Sequence, residues 1–403
     1  MNTKKIIPES FRSYYFDTVK AVMAAPSPSG YPREVAPVIE RMAREVGCAF
    51  ERTGKGGFVL TYPGRDHSSC VGACAHCDTL GAMVRTVDAD GGLSFTAVGG
   101  PLWPTLDGEY CTVITRDGKK YSGTFLSRSP SVHVYADARS RPRDPDNMYV
   151  RLDECVRSAA DVRALGIENG DYICFDTKTT VTDSGFLKSR FIDDKASVAC
   201  LITALHVMHA TGFVPENDIK VVFTMYEEVG HGGACMPPVR EMLGVDMGCI
   251  GAGLACTEHD VSICTKDSGG PYDFELTSRL VSLARAAGLS YAVDVYPFYG
   301  SDIGAMWRGG GDIPLPLSEL EECLPDSGDE SQSDSAEISA VIDRWLAKQP
   351  KTVRLLFVGR YFEGADTKAL AKNFGMSDAG VRSALHRARL SLRRELENAD
   401  IPL

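Results

Sequence analysis

Four short stretches of the chain carry side chains suited to holding a metal ion: Ala75-His76-Cys77-Asp78, Phe191-Ile192-Asp193-Asp194-Lys195, Tyr226-Glu227-Glu228-Val229-Gly230, and Asp246. A neutral imidazole at His76 can bind a divalent cation, and Asp78, two residues on, is placed to hold its other ring nitrogen. Asp193 and Asp194 supply carboxylates at the start of a long helix, and Glu227 and Glu228 would repel each other unless a cation compensates them. Each stretch alone has a plainer reading: a packed histidine, a helix cap, an exposed strand end, a turn aspartate. Together they point to chemistry, because open α/β sheets gather the carboxyl ends of neighbouring strands beside one crevice.

The elements that would position these groups are legible as hydrophobic periodicity. Residues 11–25 and 32–46 have apolar positions at helical spacing, broken by Pro26 and Gly30. GGFVLTY at 56–62 and VGACAH at 71–76 read as strands, the second expected to be buried on both faces. From about 82 to 182 short alternating runs are separated by turns such as Asp90-Gly91-Gly92, which predicts a small inserted β domain. An apolar helix at about 194–211 follows, then strands at 219–226, 244–251 and 261–267, a helix at 273–287 and a strand at 291–297. This alternation predicts an α/β fold with a central mixed sheet flanked by helices.

Composition narrows the class. The chain has 403 residues, 44% of them hydrophobic, enough for several cores, and a net charge of −11 that argues against general nucleic-acid affinity. The first 20 residues lack the apolar stretch of a secretory signal, and there is no run of about 18 apolar residues. A cytoplasmic protein is expected. The 13 cysteines match no zinc-finger spacing and are expected to be reduced.

The motifs AHCDTLG, LGIENGDYICFD leading to RFIDDK, MYEEVGHGGA, VDMG, KDSGGPYD and YGSDIGAMWRGG resemble, in order and spacing over about 300 residues, the glutamyl and tetrahedral (TET) aminopeptidases. The resemblance implies a dinuclear metallopeptidase domain at 1–81 and 183–313 carrying an inserted β-barrel domain at 82–182. It makes His76 and Asp246 terminal ligands of one metal, Asp193 the bridging carboxylate, Glu228 a ligand of the second metal, Glu227 the general base and Asp78 a support outside the ligand set. Two divalent ions are expected, zinc or alternatively cobalt or manganese, with peptides as substrates and assembly into homo-oligomers through the inserted domain.

The family pattern stops early. Its remaining metal ligand is a histidine beyond the YGSDIGAMWRGG motif, but here no histidine occurs between His259 and His386. His231 and His259 are poor substitutes by position, so weak occupancy of the second metal and impaired activity are expected. An exposed sheet edge or apolar surface is a further expectation.

Beyond an acidic linker at 314–337, residues 338–403 read as helices, with a helix, the turn Gly375-Met376-Ser377 and a capped longer helix in helix-turn-helix order. FGMSDAGVRSALHRARLSLRREL resembles region four of bacterial sigma factors. That resemblance assigns DNA-facing roles to Ser377, Arg382, Ser383, His386, Arg387 and Arg389, with Arg393 and Arg394 as further phosphate contacts, and DNA or RNA polymerase as partner. The chain thus reads as a chimera, with no sequence feature linking its two activities. The alternative function is a transcription regulator in which the peptidase part is a non-catalytic scaffold.

Overall fold

The computed structural model describes residues 8–309, 341–361 apart from 343 and 347, and 367–399. The acidic linker expected at 314–337 lies outside the described residues. The chain divides into two compact units, one formed by residues up to Gly233 and by Pro237–Met306, the other by Ala234–Met236 and the residues from Trp307 on, which include the helical tail.

In the first unit, helices α1 (Glu9–Ala24) and α2 (Ala36–Glu45) precede strands β1 (Ala49–Arg52), β2 (Phe58–Tyr62) and β3 (Asp66–His76). Six strands then close a barrel: β4 (Gly81–Val87), β5 (Leu93–Val98), β6 (Tyr110–Ile114), β7 (Lys120–Ser127), β8 (Met148–Leu152) and β9 (Tyr172–Phe175), in the order β4-β5-β8-β7-β6-β9. The short helix α3 (Ala159–Ala164) lies between its last two strands in sequence. Closure leaves the barrel without open edges. Its interior is filled by Phe95 and Phe125, both fully buried and edge-on at 5.0 Å between ring centres.

After the hairpin β10 (Thr180–Val181) and β11 (Leu187–Lys188), the chain returns through helix α4 (Lys195–Thr211) and strands β12 (Asn217–Thr224) and β13 (Met242–Gly244). The main sheet has the order β1-β2-β12-β3-β13, with β1, β2 and β12 antiparallel in turn and β12 and β13 parallel to β3. Helix α4 is apolar on nearly every side because both its faces pack. Val198, Ile202 and Leu205 are buried in the main core with Phe58, Leu60, Val221 and Phe223, each worth about 1.5–3 kcal/mol on full burial. Gly212, at φ +67, ends the helix in the left-handed conformation that glycine adopts without strain.

Strands β14 (Val261–Asp267), β15 (Gly270–Pro271) and β16 (Tyr291–Val295) form a separate three-stranded sheet with helix α5 (Phe274–Ala286), and α6 (Asp302–Gly309) follows. Val261, Val293 and Val295 on this sheet, and Leu283 on α5, are exposed. Apolar side chains are therefore open to solvent on this sheet and helix.

Two expectations need correction. The strand expected at 244–251 is only the three residues Met242–Gly244, and Asp246 lies past its end. Its paired register with β3 runs from Gly72 to Cys74 and ends at the Val245 amide, which donates to the Cys74 carbonyl, and the glycines at 248, 251 and 253 do not sustain a strand. The stretch 71–76 is buried at Cys74–His76 but only half-buried at Val71–Ala73, so it is not covered throughout.

The tail has its own core. Helices α7 (Lys351–Tyr361), α8 (Thr367–Phe374) and α9 (Asp378–Glu397), with helical residues at 341–342 and 344–346, bury Trp345, Phe357, Leu370, Val381, Leu385 and Leu392 together. Gly375, at φ +62, makes the turn between α8 and α9, and Ser377 caps α9 by accepting from the Gly380 amide at 3.1 Å.

Candidate active site

Three parallel strands deliver the site. His76 ends β3 and pairs in register with Thr224 at the end of β12, so the turn carrying Glu227 and Glu228 begins beside the imidazole. Asp246 follows the end of β13, and Asp193 precedes α4, whose N-cap is Asp194. Gly230, at φ +82, closes the Glu227–Val229 turn, its amide donating to the Glu227 carbonyl at 2.7 Å.

His76, Asp193 and Asp246 converge, each offering one ligand atom within 4.8 Å of the others. The His76 Nε2 atom lies 2.8 Å from Asp193 Oδ1, 3.9 Å from Asp246 Oδ1 and 3.8 Å from Glu227 Oε2. Glu228 is not part of that three-residue group, although its amide and that of Glu227 share one anchor, the Asp78 carboxylate.

The electrostatics of this cluster call for a cation. Burial pushes the carboxyl pKa of Glu227 up to about 8, offset by His76 and reinforced by Asp302, Asp246 and Glu228. Burial likewise raises Glu228 to about 7 and Asp246 to about 6. Burial disfavours charge on His76, but its hydrogen bond to Asp193 and the carboxylates of Asp194, Asp78 and Asp246 hold its pKa well above the usual imidazole range. Asp194 is fully buried, and its Oδ1 has no hydrogen-bond partner, while Oδ2 accepts from the His76 amide at 3.2 Å. One imidazole among several buried acids, with an orphaned carboxylate oxygen beside them, is a donor set that a divalent cation would neutralise. Three N/O ligands from separate elements match a catalytic metal site with an open position.

The support expected from Asp78 takes a different form. The His76 Nδ1 atom is 2.9 Å from the Asp78 backbone carbonyl, whereas the nearer carboxylate oxygen is 3.7 Å away. The carboxylate, completely buried, instead accepts from Ser29 Oγ at 2.5 Å and from the amides of Glu227 at 3.2 Å and Glu228 at 3.3 Å. The reason is local: two residues along a chain leaving a strand, the backbone carbonyl reaches the ring first and the side chain is free to turn inward. Asp78 therefore fixes the turn bearing the proposed base.

Sequence reasoning passed over several neighbours. Ser29 sits in the Pro-Ser-Gly loop read only as a break between helices. Asp302 accepts from Thr224 Oγ1 and is pushed up to about 6, first by burial. The Tyr299 hydroxyl donates to the Met247 carbonyl at 2.9 Å. Asp302 and Tyr299 lie in the YGSDIG motif, the one signal that could have nominated them. His231 is engaged elsewhere, its Nδ1 2.7 Å from Lys55 Nζ and its ring stacked on Tyr226, and His259 packs edge-on to Phe186. The described cysteines are free thiols.

On the tail, Ser377, Arg382, Ser383, His386 and Arg387 are exposed, as are Arg393 and Arg394, while Arg389 is half-buried. Arg382 pairs with Asp378 one turn earlier at 2.9 Å. From Arg382 onward the exposed positions recur at helical spacing on the side of α9 opposite Val381, Leu385 and Leu392, so they share one solvent face.

A His-Asp-Asp group able to hold a metal at the carboxyl ends of an α/β sheet, with a barrel inserted between β3 and α4, defines a class that comparison makes specific. The model of the M42 glutamyl aminopeptidase family matches residues 56–317, and the chain belongs to that family. It is 43% identical over 305 residues to YhfE of Bacillus subtilis (strain 168), which carries a provisional aminopeptidase name; the match covers 74% of this chain and 86% of YhfE. The fold is that of a TET1 peptidase from Pyrococcus horikoshii, with a TM-score of 0.64 at 21% identity over 73% of this chain and 88% of that one. The tail matches the family of sigma-70, region 4, over residues 340–392. It is 33% identical over 95 residues to the RNA polymerase sigma-E factor of Streptomyces avermitilis, covering 24% of this chain and about half, 51%, of that protein. The enzyme class is thus peptide hydrolase, the family is metal-dependent, and no described helix is long and apolar enough to cross a membrane.

Proposed function

We propose that the chain is an aminopeptidase whose site is complete for one divalent cation and incomplete for a second. The observation that carries this reading is the convergence of His76, Asp193 and Asp246, with Glu227 beside them and Glu228 outside the group. His76, Asp193 and Asp246 would hold the first ion, and Asp193 and Glu228 would supply two ligands to a second. A cation held there would lower the pKa of a water and polarise the scissile carbonyl. Zinc, cobalt and manganese all suit imidazole and carboxylate donors.

Glu227 acts as the general base. Its carboxylate is within 4 Å of the imidazole, placed to take a proton from water and return it to the leaving amine. Asp78 and Ser29 hold the Glu227-Glu228 turn from behind, so the base is positioned before substrate arrives. With few ligands for a second ion, the substrate carbonyl and the free amino terminus would be less well anchored and turnover would be lower. The test is hydrolysis of aminoacyl chromogenic substrates by the full chain, with Glu227→Gln as the control; turnover that Glu227→Gln leaves intact would refute the assignment.

A second reading rests on the tail, whose separate core and one-sided face of basic residues suit a duplex. In that reading the tail contacts promoter DNA or RNA polymerase and the peptidase part serves as a scaffold. Salt-dependent binding of promoter duplex by the full chain tests it. The P. horikoshii relative can assemble into a tetrahedron or a large octahedral shell, and we extend homo-oligomer formation through the inserted domain, residues 82–182, to this chain as a proposal.

A further inference from the structure

The metal centre is not the only place where the fold gathers charged side chains. A cleft of about 1080 Å³ opens between the end of α1 and the wall of the barrel formed by β6, β7, β8 and β9. None of the proposed metal ligands lines it. Its rim carries Lys20, Arg151 and Lys178, set against Asp153 and Asp176, and its walls present hydroxyls such as Thr112 and Thr124. At its floor is Lys195.

Lys195 is 1% exposed. Its ammonium donates to the Ala25 carbonyl at 2.6 Å, and it forms no ion pair with any carboxylate among the described residues. An ammonium has three donors, and this one has a single protein acceptor. The buried carboxylate of Asp78 acts on it only from beyond ion-pair distance, leaving two of its donors unfilled, and a buried ammonium so poorly paired costs several kcal/mol unless a ligand is brought to it. The lining has four cations to two acids, one of the cations, Lys178, being paired with Glu109 just outside it, in a chain whose net charge is −11. The cleft is therefore a local positive site in an acidic protein, with the kind of focused field that concentrates anions.

We propose that this cleft binds a small organic anion whose charged group meets Lys195 at the floor, while Arg151 and Lys20 close over a second anionic or hydroxylated end at the rim. The shared chemistry is an anionic oxygen cluster on a compact polar body, supplied either by a dicarboxylate or by a sugar phosphate. The cleft is slightly larger than the about 300–1,000 Å³ of ordinary ligand pockets and admits such a molecule together with water. Lys195 follows the ligand Asp193 by two residues, in the first turn of α4, so an anion drawn to it would also hold the start of the helix that presents Asp193. This goes beyond the peptidase reading and does not depend on it.

The experiment is isothermal titration calorimetry on the full chain after dialysis against a chelator, so that the probes cannot bind through a metal. Succinate and glucose 6-phosphate are titrated separately. Saturable binding of either, weakened at least about tenfold in Lys195→Met, equivalent to about 1.4 kcal/mol, supports the proposal, and the probe that binds identifies the source. Arg151→Gln, at an exposed rim position, provides the second variant should Lys195→Met fold poorly, and is expected to lose several-fold in affinity. No saturable binding of either probe, or equal binding by wild type and a folded Lys195→Met, overturns the proposal, as does unchanged affinity in Arg151→Gln when Lys195→Met does not fold.

Discussion

Replacing Asp78 by asparagine separates two accounts of how the site is held. In one, the carboxylate orients the imidazole, and its loss weakens metal binding by about 10–100-fold. The structure gives the other: the imidazole is held by the Asp78 backbone carbonyl, which asparagine retains, and the carboxylate holds Ser29 and the amides of Glu227 and Glu228. In Asp78→Asn one of the two oxygens becomes a donor. At least one of the three donors it now satisfies then faces an N–H and is left unpaired in a fully buried position, at about 1–3 kcal/mol. At roughly 2–4 °C per kcal/mol for a domain of a few hundred residues, a loss near 2 kcal/mol lowers the melting temperature by about 4–8 °C. The base turn loosens, and a displacement on the scale of 1 Å can cost on the order of a hundredfold in turnover. Metal affinity should change by less than about threefold, well short of the tenfold that marks a lost orienting partner. Thermal melts, metal titration and hydrolysis at saturating metal measure the three quantities. A large loss of metal affinity with normal turnover at saturating metal would refute the reasoning.

Three further outcomes are expected. In chelated protein, burial raises the folded-state pKa values of Asp246, Glu228 and Glu227 to about 6, 7 and 8, above their unfolded values. Their contribution to stability is fully present below pH 4 and is lost as the pH rises through about 8; thermal melts should therefore show a lower melting temperature at pH 8 than at pH 5, and metal affinity should rise across the same interval as the ligand protons leave. A melting temperature higher at pH 8 would count against the buried acid cluster. Trp345→Ala empties a position 1% exposed, packed edge-on to Phe357 at 4.8 Å and bonded to Ser391; a loss of about 3–5 kcal/mol should melt the tail while hydrolysis persists, and loss of both together would show that the two parts are coupled. Arg387→Gln should reduce the salt slope of DNA binding by the full chain by about 1 without changing sequence preference; an unchanged slope would remove Arg387 from the contact surface.

Much of this site is written in local sequence, and what is not depends on contacts that no local pattern encodes. His76 was legible because it ends an apolar strand, and Asp193-Asp194 because carboxylates mark the start of an apolar helix. The barrel was legible as short alternating runs between turns. Asp246 was found, but its strand was overextended: Val245, Met247 and Cys249 give an alternating apolar pattern, yet bonding to β3 stops at the Val245 amide. The destination of the Asp78 carboxylate was hidden because its donors come from residues 49 and about 150 positions away. Lys195 read as an ordinary residue of a charged helix start, since burial by the barrel wall and α1 is a tertiary fact.

A peptidase site furnished for one cation should hold a single divalent ion per chain. Metal content per chain, measured on purified protein after gel filtration alongside hydrolysis, tests it most directly, with His76→Ala and Glu227→Gln as controls. The account predicts one tightly held divalent ion per chain that His76→Ala abolishes, with slow hydrolysis that Glu227→Gln eliminates. Two tightly held ions with rapid Glu227-dependent turnover would contradict it, since another residue would then have completed the second site.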